Sequence, residues 1–469
     1  MPVNGELHEM RATTLVEGFR RRTLSPLDVA RAIIERIERC DGAINAFCHR
    51  DAEATLASAR ESERRWQVGQ PLGPLDGVPV SVKDLIHVRG WPTRHGSRAT
   101  PDAGPWNFDS PAVARLREGG AVLIGKTTTP EFGHKGVTES GLTGRTSNPW
   151  NLAMNPGGSS GGAGAALAAG MGPLALGTDG GGSCRKPASY CGVVGMKPTQ
   201  GSVPAWPPSA LWPLSSTGPM ARSAEDCALL LDSIARPDPR DPYASSAHRT
   251  HSFAASADPS LKGLRLAFAP ELGGSTARTE VARAVMSTMA AFRELGAEVV
   301  EAGPRIADPM PLYRVLLDSG WLNVVRPMSP EQRAKLDPSF QEAVARSAKI
   351  TADDVRHALE VRLRLGAELA TFHETHDILV TPTNPVTAYA HGSREPVREP
   401  EDRFSATVCF TFPFNITGQP AISVPCGTSA AGLPIGLQIV GPIGSDLRVL
   451  WVAQAFERVS GWQGRLAPL

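Results

Sequence analysis

The chain has 469 residues, 41% of them hydrophobic and 20% charged, with a formal net charge of +1. That balance is ordinary for a globular protein and gives no reason to expect nucleic acid or an acidic membrane surface as a partner. No apolar run long enough to span a bilayer occurs, and the N-terminal MPVNGELHEMRATTLVEGFRRR lacks an apolar stretch and cleavage site, so a cytoplasmic protein is expected.

Seven cysteines, with no CxxC, fit a reducing compartment. None of the eleven histidines lies in an HExxH helix, so no metal or other cofactor is expected. The first clear element opens at Ser25, an N-cap followed by Pro26 at the first helical position, with Asp28 placed to complete a capping box. Val29, Ile33, Ile34 and Ile37 then recur at helical spacing up to Cys40. A polar helix is predicted over 51–66, and LDGVPVSVKD (75–84) reads as a valine-rich strand that ends by carrying Lys83. Pro111 to Glu118 reads as a helix and Ala121 to Lys126 as a buried strand.

The block from Pro156 to Pro198 is different in kind. Its glycines cluster at 157–162 and 180–182, around Ser159, Ser160 and Ser183, with a small-residue helical run (163–169) and a short apolar run (173–177) between. The pattern reads as loop, helix, strand, loop, helix, with a serine at each loop-to-helix junction. Such junctions aim backbone N–H groups at one point, which is how an oxyanion hole is built.

Beyond it, Ser223 to Asp226 caps another helix, running through Ala228, Leu229, Leu231 and Ile234. Residues 236–258 read as a surface excursion rich in proline and serine. A strand–helix–strand unit is predicted at 264–268, 277–295 and 297–301. Helices follow at 309–325 and 354–372, the latter capped by Thr351 and Asp354, then β runs at 377–382, 421–425 and 435–440 and a helix at 445–459. Strands alternating with helices along the whole length predict one α/β domain, 1–469, around a mixed sheet.

Three chemistries compete for these residues. Gly120 to Thr127 satisfies GxxxxGK[ST], but its interior is apolar strand and Thr128, Thr129 and Pro130 start a helix poorly, so nucleotide binding is rejected. A histidine triad through His87 or His134 has no GxSxG elbow around Ser183 to support it. The third uses Lys83, framed by Val80, Val82, Leu85 and Ile86. Burial lowers a lysine pKa, and a neutral amine can draw a proton from a serine through a second serine acting as relay.

The block GGSSGGAGAALAAGMGPLALGTDGGGSCRKPASYCGVVGMKPT closely resembles the signature of the amidase signature family. The likeness extends over nearly the whole chain, through LDGVPVSVKDLIHVRG, GAVLIGKTTTPEF, SSTGPMARSAEDCALLLDSIA, DILVTPTNP and FTFPFNITGQPAISVPCG. It implies an α/β/α fold with a central mixed sheet covered by helices on both faces. Within it come an N-terminal helical segment (about 1–66), the signature core (about 75–235) and a substrate-side helical insertion (about 305–375). It also implies a Ser–cisSer–Lys triad, with Ser183 as nucleophile, Ser159 as the cis-peptide relay and Lys83 as base. The amides of Gly180, Gly181, Gly182 and Ser183 resemble the family's oxyanion hole, and Ser160, Thr178, Asp179 and Arg185 are expected to support the loop.

Two family roles differ in partner. One is a free-standing hydrolase of small amides, carbamates or esters. The other is the glutamine-hydrolysing subunit of a tRNA-dependent amidotransferase. Proteins in that second role typically carry an aspartate before the FT-P-N motif to hold the α-ammonium; Val408 stands there here, so the hydrolase is favoured. Family members are often dimers, which leaves a homodimer open. For the substrate group, Trp206, Trp212 and Leu214, with Tyr313 and Trp321 from a later apolar segment, are expected to line an apolar pocket for an aryl or alkyl moiety. The same residues could equally pack on the core; the sequence leaves both open.

Overall fold

The computed structural model describes residues 4–244, 252–253, 260–393 and 406–469. Eleven strands form one sheet: β1 Phe47–His49, β2 Pro79–Lys83, β3 Val122–Thr127, β4 Leu174–Asp179, β5 Val194–Lys197, β6 Ser216–Ala221, β7 Arg265–Phe268, β8 Glu298–Glu301, β9 Ile378–Pro382, β10 Ala421–Thr428 and β11 Pro434–Val440. Their order across the sheet is β1-β3-β2-β4-β6-β5-β10-β11-β9-β7-β8. The sheet is mixed: β3, β2 and β4 run parallel, as do β9, β7 and β8, while the centre from β4 through β6, β5, β10 and β11 to β9 is antiparallel.

Side-chain alternation shows why helices must cover both faces, because successive strand residues point to opposite sides. Ile378 and Val380 enter one apolar cluster with the helices Pro26–Ile44, Ala224–Ile234 and Asp446–Ser460. Leu379, between them, enters a second cluster with Met310–Asp318, Trp321–Val325 and Ala352–Thr375. Leu174 and Leu176 of β4 likewise face the first cluster. Ala175 faces two short, fully buried helices, Gly161–Ala168 and Arg185–Cys191. Small residues let those helices lie directly on the strands. On β2 the same rule puts Val80 and Val82 in the first cluster and turns Ser81 and Lys83 to the other side.

The capped helices form as their sequences predict, with one difference. Ser25 Oγ accepts from the amides of Leu27 and Asp28 at 3.1 and 3.2 Å, but the Asp28 carboxylate pairs with Arg31 instead of closing the box. Thr351 and Asp354 do close theirs, at 2.8 and 3.1 Å. The helix expected over 309–325 breaks at Ser319–Gly320, where a Cβ on Gly320 would lie 1.8 Å from the Ala210 carbonyl oxygen. The one expected over 277–295 is two, Thr279–Ser287 and Met289–Glu294. Strands β5 and β6 were not apparent in the sequence; β6 reads STGPMA, and Gly and Pro inside a strand hide the alternation that marks one. Much of the excursion expected over 236–258 lies outside the described residues. No helix among the described residues is long and apolar enough to cross a membrane.

Candidate active site

Lys83 ends β2 with its side chain wholly buried. Its Nζ lies 2.7 Å from Ser159 Oγ, 2.9 Å from Ser160 Oγ and 2.9 Å from Thr178 Oγ1. Two elements supply these hydroxyls. Thr178 comes from β4, parallel to β2, and the two serines come from the turn that opens the Gly161–Ala168 helix. The Gly158–Ser159 peptide is cis. Burial pulls the Lys83 amine down from 10.5 to about 7, against the opposing field of the Asp179 carboxylate. A lysine so placed can shed its proton near neutral pH. Ser160 Oγ and Thr178 Oγ1 can then accept its two remaining hydrogens, which leaves the lone pair for the Ser159 hydroxyl.

Ser183 follows β4 on the second glycine turn. It is half-buried, whereas its neighbours Gly182 and Cys184 are buried, so it is the point of this loop that a ligand can reach. The loop is organised from beneath by Asp179. Its carboxylate accepts from the amides of Gly182 (2.7 Å) and Cys184 (3.1 Å), from Arg185 Nε and Nη2 (3.0 and 2.9 Å) and from Asn415 Nδ2 (2.9 Å). Burial alone would push this carboxyl up; the Arg185 guanidinium and the hydrogen bonds overturn that and hold it well below the usual carboxylate range. Arg185 reaches on to Thr411 O and Gln438 Oε1 at 2.9 and 2.7 Å, tying the loop to β11.

This web corrects one expectation about the oxyanion hole. The Gly182 N–H is committed to Asp179 and is not free for a substrate oxygen. Among the described residues the amides of Gly180, Gly181 and Ser183 donate to no protein group. Those three remain as the available donors. The Gly181 carbonyl accepts from Thr411 Oγ1 at 2.7 Å, so the Gly181–Gly182 peptide is held at both its C=O and its N–H.

Ser159, Thr178, Gly180 and Ser183 share one cavity of about 530 Å³. Of the five residues expected to line it, Trp206 and Trp321 do, together with Pro207, Pro208 and Leu211. The other three do not. Trp212 turns outward, 55% exposed, against Tyr243, and Leu214 lies in the core. Tyr313 is buried behind the glycine loop, stacked on Phe412 at 4.7 Å. His134 is held by Glu131 O and Ser339 Oγ, and His87 lies on the cavity wall; neither hydrogen-bonds a site serine. Lys126 lies in β3, where its Nζ donates to Ile86 O and Thr93 Oγ1, both at 2.8 Å, so Gly120 to Thr127 forms no phosphate loop.

A family model described as Amidase matches residues 28–450. The chain belongs to the amidase family. It is therefore a hydrolase of amide C–N bonds, with the amidase signature in the block that builds the site. It is 37% identical to an acylamidase from Rhodococcus erythropolis, over 97% of this chain and 96% of that one. It is 36% identical to a glutamyl-tRNA(Gln) amidotransferase subunit from Salinispora tropica, over 97% and 98%. Among solved structures it resembles a bacterial aryl acylamidase of the amidase signature enzymes, with a TM-score of 0.90 at 28% identity, covering 99% of this chain and 100% of that one.

Several amidase-site residues escaped sequence reasoning. Thr411, Asn415 and Gln438 lie more than two hundred residues beyond the loop they brace. The FTFPFNITGQ motif carried two of them, but nothing local says that its asparagine reaches back to Asp179 or its threonine to the Gly181 carbonyl. Phe132 and His95 on the cavity wall are also unmarked in the sequence. Both adopt left-handed backbone, φ 49° and 55°; histidine tolerates that region better than most side chains, but for a bulky phenylalanine it is an outlier.

Proposed function

We propose that this amidase hydrolyses small acylamides through an acyl-enzyme on Ser183, with Ser159 relaying the proton and Lys83 as the base. The observation that carries the reading is the wholly buried Lys83 amine within 2.9 Å of three hydroxyls, two of which, on Ser159 and Thr178, belong to residues lining the cavity where Ser183 is the reachable nucleophile. Neutral Lys83 takes the Ser159 proton as Ser159 takes that of Ser183. Ser183 Oγ then forms a bond to the acyl carbon, and the charge on the former carbonyl oxygen is met by the amides of Gly180, Gly181 and Ser183. The proton returns through Ser159 to the nitrogen, so that an amine leaves, because an amide anion is a poor leaving group. Water attacks the acyl-enzyme along the same route, releasing the acid and restoring Ser183.

The apolar wall of Trp206, Pro207, Leu211 and Trp321 supports aryl or alkyl amides as substrates, and the same acyl chemistry extends to carbamates and esters. Likeness to glutamyl-tRNA(Gln) amidotransferase subunits raises glutamine as a second substrate. Val408 disfavours it: this side chain is 4% exposed within an apolar cluster and offers no anion for an α-ammonium. The test is a panel of anilides, aliphatic amides, carbamates and glutamine read by mass spectrometry, with Ser183→Ala as control. Turnover of anilides or carbamates well above glutamine is expected. Glutamine-dependent ammonia release as the dominant activity would reverse the assignment.

A further inference from the structure

Two imidazoles on the cavity wall have no part in the proton relay. His87 and His95 both line the cavity that holds Ser159 and Ser183, with ring centroids 5.6 Å apart and planes at 68°. Among the described residues neither ring hydrogen-bonds a protein group. Their planes are fixed by neighbours: His87 stacks on Phe108 at 4.6 Å, and His95 on Phe132 at 5.8 Å. Phe108 in turn meets the edge of Trp206 at 4.7 Å, so the imidazoles belong to a continuous aromatic wall.

The backbone beneath His95 is specified with care. Its φ of 55° lies in the left-handed region, uncommon for any residue but glycine, and the stacked Phe132 is left-handed too at φ 49°, an outlier for so bulky a side chain; such strain gathers at functional sites. It is held there by His95 N donating to Asp84 O at 3.1 Å and by Phe132 N donating to His95 O at 2.8 Å. Burial pulls both rings down to about 4, with the field of Lys126 acting in the same direction. At pH 7 each ring is therefore neutral and presents one N–H donor and one bare nitrogen. Such a pair suits a partner that donates and accepts. A carboxylate would want imidazolium, and a plain methyl group would leave the nitrogens dehydrated and unpaired.

We propose that His87 and His95 form a hydrogen-bonding pair that selects substrates bearing a neutral polar group, a hydroxyl or a second amide or carbamate, away from the scissile carbonyl. The inference rests on the reading of this cavity as the substrate site. A single neutral hydrogen bond favours the polar ligand by roughly 3- to 10-fold. The hydroxyl ligand must also surrender its water.

The test is calorimetric binding of 3- and 4-hydroxyacetanilide, each against its methyl counterpart, to Ser183→Ala and to the same protein carrying His87→Phe or His95→Asn. Asparagine tolerates the left-handed backbone and withdraws the far ring nitrogen. At least one hydroxyl isomer should bind Ser183→Ala roughly 3- to 10-fold tighter than its methyl partner, and either histidine substitution should remove most of that advantage. No hydroxyl advantage, no detectable binding, or an advantage that survives either substitution would overturn the pair; the first two outcomes need no histidine variant to fold. Turnover of the same compounds by the unsubstituted enzyme separates the two readings. Binding preference without hydrolysis sinks the hydrolase assignment and keeps the pair, whereas hydrolysis without preference sinks the pair alone.

Discussion

At the scale of single residues the site turns on the proton of Lys83. An amine depressed to about 7 must be neutral to act as base, so kcat/KM should fall about tenfold per pH unit below that value and level off above it. The same shift has a stability consequence with a definite sign. The unfolded chain keeps the lysine protonated up to its ordinary 10.5, while the native state sheds the proton near 7. Burying the amine therefore costs most below pH 7, and the cost shrinks as pH rises toward 10.5. Melting curves of the wild type and Lys83→Met, measured from pH 6.5 to 9.5, should show the wild type gaining on the variant as pH rises. A gap that does not change with pH would contradict a depressed Lys83. Glycine clusters and a strand end single out Lys83, Ser159 and Ser183 locally, and the structure brings Lys83 to Ser159; the roles proposed for them come from the family resemblance. Trp212, Leu214 and Tyr313 were misassigned because an apolar side chain reads alike whether it lines a cavity, packs in the core or meets solvent.

The element proposed to hold the nucleophile and the oxyanion donors is the loop from Asp179 to Arg185. Its shape depends on a buried charge pair, Asp179 with Arg185 at 2.9 Å, and on close packing behind it. A Cβ on Gly181 would lie 1.9 Å from Tyr313 Oη. Gly181→Ala should consequently push the loop forward, displacing an amide proposed to meet the oxyanion, and lower kcat by about 10²–10³ with KM less affected. Adding Tyr313→Ala opens the space and should recover part of the loss in steady-state assays. Unaltered kcat in Gly181→Ala would remove that amide from the account. Elements differ in how far they announce themselves. Helices with Ser or Thr caps were readable to within a few residues, since the cap and the apolar spacing are local signals. The central strands β5 and β6 were not, because β5 is only four residues long and Gly and Pro interrupt the alternation of β6.

Across the whole molecule, distant segments converge on the Ala224–Ile234 helix. The Asp226 carboxylate accepts from the amides of Ala12 and Thr13 at 3.1 and 2.9 Å, and Glu457 from the C-terminal helix accepts from Ala224 N at 2.6 Å. Burial pushes the Glu457 carboxyl up to about 8, so it is protonated at neutral pH. Asp226→Ala leaves two helix-start amides without their acceptor, each worth about 1–3 kcal/mol. For a chain this long that corresponds to a fall in Tm of roughly 2–6 °C by calorimetry. No cavity residue is touched, so kcat/KM at 25 °C should be unchanged; a loss of activity before melting would mean that the N-terminal helices shape the site.

The central claim is that Ser183 carries the acyl group and that Lys83, through Ser159, makes it reactive. Acid quenching during turnover of an activated acyl substrate, followed by peptide mapping by mass spectrometry, tests it directly. The expected result is one acyl adduct on the peptide containing Ser183, absent in Ser183→Ala and formed several powers of ten more slowly in Lys83→Ala. An adduct on Ser159, or undiminished turnover in Ser183→Ala, would contradict the account.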